Sequence, residues 1–137
     1  MNNLLEINNL SVDFPSRRGQ VTAVNKVSIS VAKGEVLGLV GESGAGKSTV
    51  GNSVINLLEP PGYISGGEII FEGTRIDQMS NEEMRKIRGA KIGTIFQDPQ
   101  TSLNPLMTIG KQLSETLVET LKISGSDKQQ VGSVASK

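Results

Sequence analysis

From Leu4 to Phe14 the apolar residues Leu4, Ile7, Leu10, Val12 and Phe14 stand among polar ones, a pattern that predicts a strand. The alternation slips once, between Ile7 and Leu10. Pro15 to Gln20 reads as a turn segment containing Gly19, and Val21 to Val31 as a second strand in which Val27, Ile29 and Val31 alternate with Lys26, Ser28 and Ser30. After the turn Lys33-Gly34-Glu35 comes a run of another kind, Val36-Leu37-Gly38-Leu39-Val40. It is apolar throughout and bounded by glycines, as expected of a strand buried on both faces of a parallel sheet. The Gly41–Ser48 segment follows, then a helix expected over Thr49–Leu58 and stopped by Pro60-Pro61-Gly62.

Beyond that stop, Gly67–Phe71 reads as a strand and Glu72-Gly73 as a turn. Ser80 and Glu83 have the spacing of a capping box, opening a helix to about Arg88. Lys91–Phe96 is expected to be a strand ending at Gln97. A proline-punctuated loop, Asp98 to Pro105, leads to a helix capped by Thr108, whose Ile109, Leu113, Leu117 and Leu121 recur every four residues. From Ser124 the chain is rich in Ser, Gly, Gln, Lys and Asp and is expected to be a disordered tail, residues 124–137. No internal repeat is visible.

Composition narrows the chemistry. The 137 residues include 14 Lys or Arg and 14 Asp or Glu, so formal charge balances and a nucleic-acid footprint, which needs a basic excess, is disfavoured. Cysteine and histidine are both absent, which excludes disulfide scaffolds, thiol catalysis, Cys-ligated zinc and histidine acid–base work, and fits a reducing compartment. No apolar run approaches the roughly 20 residues of a membrane-spanning helix, and no secretion signal is visible at the N-terminus.

One segment carries chemistry. Gly41-Glu42-Ser43-Gly44-Ala45-Gly46-Lys47-Ser48 fits G-x-x-x-x-G-K-[ST], the phosphate-binding loop. Its glycines let successive backbone N–H groups curl inward as an anion nest, and the following helix adds its positive end. Lys47 would reach the β- and γ-phosphates and Ser48 would hold Mg²⁺; Thr49 completes the nucleotide-binding set. At the composition of this chain a chance match has a probability of roughly 2%. The strand-before, helix-after context lowers it further. The loop alone leaves kinases, GTPases and transport ATPases open, although no guanine-reading Asn-Lys-x-Asp segment occurs.

Two antiparallel-looking strands ahead of the loop, and Thr94-Ile95-Phe96-Gln97-Asp98-Pro99 after it, together resemble the ATP-binding subunits of ABC transporters, with Gln97 at the Q-loop position. Gly41-Glu42-Ser43-Gly44, Asp98-Pro99 and Ser102-Leu103-Asn104-Pro105 look most like the branch that imports dipeptides, oligopeptides or nickel. The resemblance covers about residues 4–123, taken as the N-terminal part of one ATP-binding domain. It implies an α/β fold, a partial P-loop NTPase core of the ABC ATPase type with an N-terminal antiparallel β subdomain. It implies ATP and Mg²⁺ as cofactors, Gln97 as a magnesium ligand or the group that orients the attacking water, and membrane-embedded permease subunits plus a second ATP-binding subunit as partners. The expected location is peripheral, on the cytoplasmic face of the inner membrane. The family places an aromatic before the second strand to stack on adenine; here Phe14 is the nearby ring and Arg18 the other planar group, with core packing an equal alternative for Phe14.

Three family elements have no counterpart. The signature Leu-Ser-Gly-Gly-Gln has only misplaced look-alikes, Ile64-Ser65-Gly66-Gly67-Glu68 and Ile123-Ser124-Gly125-Ser126-Asp127. The apolar strand ending in Asp-Glu is absent, as is the switch histidine. The expectation is therefore a front portion of such a subunit, with exposed apolar surface, that binds nucleotide and lacks the groups for hydrolysis.

Overall fold

The computed structural model describes residues 3–42, 44, 46–97 and 103–121, in two compact units that divide between Met84 and Arg85. The first unit is built on a four-stranded, wholly antiparallel sheet of β1 (Asn3–Ser16), β2 (Gly19–Ala32), β3 (Tyr63–Phe71) and β4 (Thr74–Arg75), in the order β2-β1-β3-β4. Both long strands run further than the apolar pattern alone predicts. Ser16 pairs with Gly19, so Arg17-Arg18 forms a two-residue turn, held by a 2.6 Å bond from Ser16 Oγ to Gly19 O.

The slip between Ile7 and Leu10 has a structural cause. Asn9 adopts φ 49°, and the register of β1 shifts at this level against both β2 and β3. This bulge inserts one residue, so that Ile7, Leu10 and Val12 all reach the core although their spacing breaks the period of two. On β2, Lys26 at φ 49° makes the matching adjustment between Val24 and Val27. The amides displaced by the bulges are satisfied by hydroxyls: Asn9 N donates to Ser28 Oγ at 2.9 Å and Lys26 N to Ser11 Oγ at 3.1 Å. Gly67, at φ 84°, lies so close to the carbonyls of Asn8 and Asn9 that a Cβ would overlap them.

Helix α1 (Lys47–Val54) contributes Val50, and Ile55 follows at its C-cap, to a core completed by Ile69, Phe71, Ile76 and Met84. The helix is shorter than the expected span to Leu58; it unwinds at Asn56, which takes φ 55°, ahead of the prolines. Helix α2 (Asn81–Arg85) opens on the capping box, Ser80 N donating to Glu83 Oε2 at 2.9 Å and Glu83 N to Ser80 Oγ at 3.3 Å, and also ends earlier than expected. A brace closes the sheet edge: Asp77, its side chain only 5% exposed, accepts from the Ile69 amide and the Arg75 guanidinium, both at 3.0 Å.

In the second unit, helix α3 (Ile109–Leu121) starts after Thr108, whose Oγ1 accepts the Lys111 amide at 3.2 Å. Gln112 reaches back to both backbone polar groups of Asn104, pinning the loop ahead of the helix. Ile109 and Leu113 of its apolar stripe are exposed.

Two expected strands are corrected. Residues 36–40 form neither strand nor helix, and Val36 and Val40 are each 96% exposed. Residues 91–96 contribute only one isolated bridge, Arg88 to Ile92, and Ile95 is 90% exposed. A strand flanked on both sides in a parallel sheet needs neighbours brought by crossovers of a dozen residues or more. Among the described residues no strand supplies them. Exposed apolar side chains thus occur in both segments, and also at Leu103, Leu106 and Ile109. The expected tail, residues 98–102, Ser43 and Ala45 lie outside the described residues.

Candidate functional site

The loop that joins residue 40 to α1 turns on glycine. Gly44 at φ 85° and Gly46 at φ 91° both take the left-handed conformation that side chains disfavour. Gly46 is the N-cap of α1; its carbonyl accepts the Val50 amide at 3.0 Å. It also rests on β2, where a Cβ would lie 2.8 Å from Ala23 O and 3.4 Å from Val24 Cγ2. Gly46 is therefore required twice, by its dihedral and by its contact with the sheet, whereas Gly44 is required by its dihedral alone.

Lys47, the first residue of α1, folds its side chain back over the loop. Its Nζ donates to the carbonyls of Gly41 and Glu42, the latter at 2.9 Å. The ammonium is thereby held at the mouth of the loop and at the positive end of a helix whose first turn carries no acidic residue. Two positive features converge without a carboxylate side chain of that turn to offset them. Ser48 is exposed on the same turn, and Thr49, next along, is half-buried, its carbonyl accepting Ser53 Oγ at 2.7 Å. Glu42 is exposed at the loop's start. The donor set suits a polyphosphate with its cation: an ammonium, a helix N-terminus and a free-standing serine hydroxyl.

Of the other anticipated residues, Phe14 lies half-buried on β1, and its ring packs directly on Gly62, where any Cβ would overlap it. Arg18 is exposed in the β1–β2 turn, its backbone amide bonded to Ser16 Oγ at 3.3 Å. Gln97 lies at an exposed bend in the second unit. Among the described residues no group of three or more carboxylates gathers that could hold a metal by protein ligands alone.

The pattern reading missed two supports. Ala23 and Val24 form the platform under Gly46, a role that small size and burial on β2 could have suggested. The second is Gln20, whose Nε2 donates to Asp13 Oδ2 at 2.8 Å and Tyr63 Oη at 2.7 Å, tying the hairpin end to β3. No local signal announces that contact, which spans 43 residues.

Comparison with known proteins places these features. The sequence profile of the ABC transporter family matches residues 24–137. The chain is 48% identical over 122 residues to the oligopeptide transport ATP-binding protein OppD of Bacillus subtilis (strain 168), covering 88% of this chain and 34% of that protein. It is 45% identical over 125 residues to the dipeptide transport ATP-binding protein DppD of the same organism, covering 90% and 37%. The chain spans about a third of the length of these relatives. Among solved structures, the ATP-binding cassette MJ0796 in a dimeric post-hydrolysis state bound to ADP and Pi superposes with a TM-score of 0.78 at 25% identity, over 95% of this chain and 54% of that one.

Proposed function

The chain belongs to the ABC transporter family, and from that premise we propose that it binds MgATP, as the nucleotide-holding portion of an ATP-binding subunit that powers peptide import. The observation that carries this is the loop itself: two left-handed glycines lead into the N-terminus of α1, and the Lys47 ammonium folds back onto the loop carbonyls. Lys47 would exchange its carbonyl partners for the β- and γ-phosphate oxygens, the backbone around Gly44 and Gly46 would hold the remaining oxygens, and Ser48 would hold Mg²⁺. The bound cation supplies charge neutralisation between the phosphates. In this reading the loop runs from Gly41 to Ser48, and the family resemblance gives Gln97, a neutral amide, the role of a further magnesium ligand.

The base would lie toward the β1–β2 turn. From Ala23, under Gly46, to Gly19 is four strand residues, about 13 Å at the usual rise. At that end Arg18 offers an exposed guanidinium plane, while the Phe14 ring is engaged with Gly62. Arg18 is thus the better placed of the two to stack on adenine. Turnover is assigned to the whole transporter rather than to this chain, whose sequence contains no histidine and no acidic strand to supply a base. The partners proposed for the whole protein are membrane-embedded permease subunits and a second ATP-binding subunit, with this portion peripheral on the cytoplasmic face. No described helix is long and apolar enough to cross a membrane.

Equilibrium titration with ATP, with and without Mg²⁺, tests the reading. Replacing Lys47 by Ala should weaken binding about 10- to 100-fold, the loss of charge-assisted hydrogen bonds. An unchanged affinity, or GTP bound in preference to ATP, would overturn it. Steady phosphate release that Lys47→Ala abolishes would overturn the assignment of turnover to the whole transporter.

A further inference from the structure

Strand β1 is paired on both sides only as far as Asp13, whose partners are Thr22 on β2 and Tyr63 on β3. β3 begins at Tyr63. From Phe14 to Val21, therefore, the first two strands pair only with each other among the described residues, and project as a two-stranded arm with Arg17-Arg18 at its tip. A two-stranded hairpin is marginal by itself, so its direction has to be fixed from outside. Two contacts do so where the arm leaves the sheet. The Phe14 ring packs on Gly62, the residue before β3, where any Cβ would overlap it. The other contact crosses all three strands: Gln20 Nε2, on the arm, donates to Asp13 Oδ2 at 2.8 Å and to Tyr63 Oη at 2.7 Å. Asp13 and Phe14 are consecutive on β1, so their side chains leave opposite faces and the arm is gripped from both.

We propose that Gln20 and Tyr63 are positioning residues for the nucleobase: their bond sets the angle of the arm, and with it the place at which Arg18 meets the adenine ring. This rests on the reading that the chain binds MgATP with Arg18 against the base. β2 joins the two ends of that ligand. At Ala23 and Val24 it carries Gly46 of the phosphate loop, within the paired sheet, and at Gln20 it has passed into the arm. A swing of the arm therefore moves Arg18 while the phosphate site stays where it is. From Asp13 to Ser16 is three strand residues, about 10 Å at the usual rise, so a swing of about 10° at the tie displaces the turn by about 2 Å. A gap of that size forfeits most of the contact between two stacked planes. The acceptor on β3 is a single phenol oxygen rather than a backbone group, so the tie can be cut without touching the strand pairing.

Affinity for MgATP, measured beside affinity for inorganic triphosphate with Mg²⁺, separates positioning from folding, because triphosphate carries the phosphates without the base. Tyr63→Phe removes the Oη acceptor and keeps the ring. It should weaken MgATP about three- to tenfold, the worth of one hydrogen bond, while triphosphate affinity changes by less than about twofold. Gln20→Met removes the donor, keeps the side-chain length and should give the same split. The double variant should lose no more than either single one, as expected of two residues that act through one bond. Arg18→Ala should weaken MgATP in the parent and add little in the Tyr63→Phe background. Lys47→Ala, in contrast, should weaken both ligands. Equal losses for MgATP and triphosphate in Tyr63→Phe would overturn the proposal and leave the tie a purely structural role. So would unchanged affinity for both ligands in Tyr63→Phe where Lys47→Ala still weakens both. If Lys47→Ala changes neither affinity, the nucleotide reading itself falls and takes this inference with it.

Discussion

The antiparallel sheet and the 35–42 segment that leaves it are similar in apolar content and opposite in fate. In the sheet, Ile7, Leu10, Val12 and Ile69 are sealed, and even the amides displaced by bulges find hydroxyl partners. A few residues later, Val36 and Val40 stand in solvent. Hydrophobicity does not separate the two regions; the origin of their neighbours does. β1 finds β2 across a two-residue turn and finds β3 within the same unit, whereas a strand of parallel type needs partners delivered by long crossovers. The Gly41–Ser48 loop thus rests on the β2 platform under Gly46 and leads into α1.

The largest effect that separates the regions is burial. Leu10→Ala should cost about 2–5 kcal/mol, lost apolar contact plus the cavity left behind. Val36→Ala or Val40→Ala should stay within about 0.5 kcal/mol, as expected of exposed positions. Urea unfolding of the three variants at low protein concentration checks this. A cost at Val36 matching that at Leu10 would mean that residues 36–40 are packed, and would dissolve the contrast.

Glycine provides a second, smaller contrast. Gly67→Ala forces a Cβ onto the carbonyls of Asn8 and Asn9 at a left-handed dihedral, and should destabilise by about 1–3 kcal/mol. Gly38→Ala meets open space at an ordinary dihedral and should be neutral or slightly stabilising, since alanine restricts the unfolded chain. Thermal melts of the pair distinguish a backbone that is locked from one that is free.

What the sequence made legible was local. The hairpin, the capping box at Ser80 and the cap at Thr108 each rest on residues within a few positions of one another, and all are found where their patterns place them. The slip at Ile7–Leu10 already marked the bulge, although only the φ of Asn9 shows why three core residues follow an uneven spacing. Contacts across long separations left no pattern: Phe14 on Gly62, Gln20 to Tyr63, Gly67 against Asn9. The buried reading of 36–40 failed for the same reason in reverse. Its composition encodes a strand, but a strand's burial belongs to its neighbours.

Ionisation gives the finest test. Burial pushes the Asp77 carboxyl up, but the Arg75 guanidinium, the Ile69 amide and the charge of Arg75 together outweigh it and hold the group below its ordinary value. A carboxyl depressed in the folded state adds stability that is fully present above the unfolded value, near 3.8, and is lost as pH falls through the lower folded value. Melting temperature should therefore fall from pH 5 toward pH 2, and Asp77→Asn should flatten that fall while lowering stability at pH 7 by about 1 kcal/mol, given an exposed arginine partner. Glu35, at the start of the unpaired segment, is an exposed carboxylate whose Oε2 accepts the Ala32 amide at 2.7 Å. An Asp77→Asn profile parallel to the parent's would show that the brace between β3 and the turn after β4 adds nothing to the sheet's advantage over the segment beyond it.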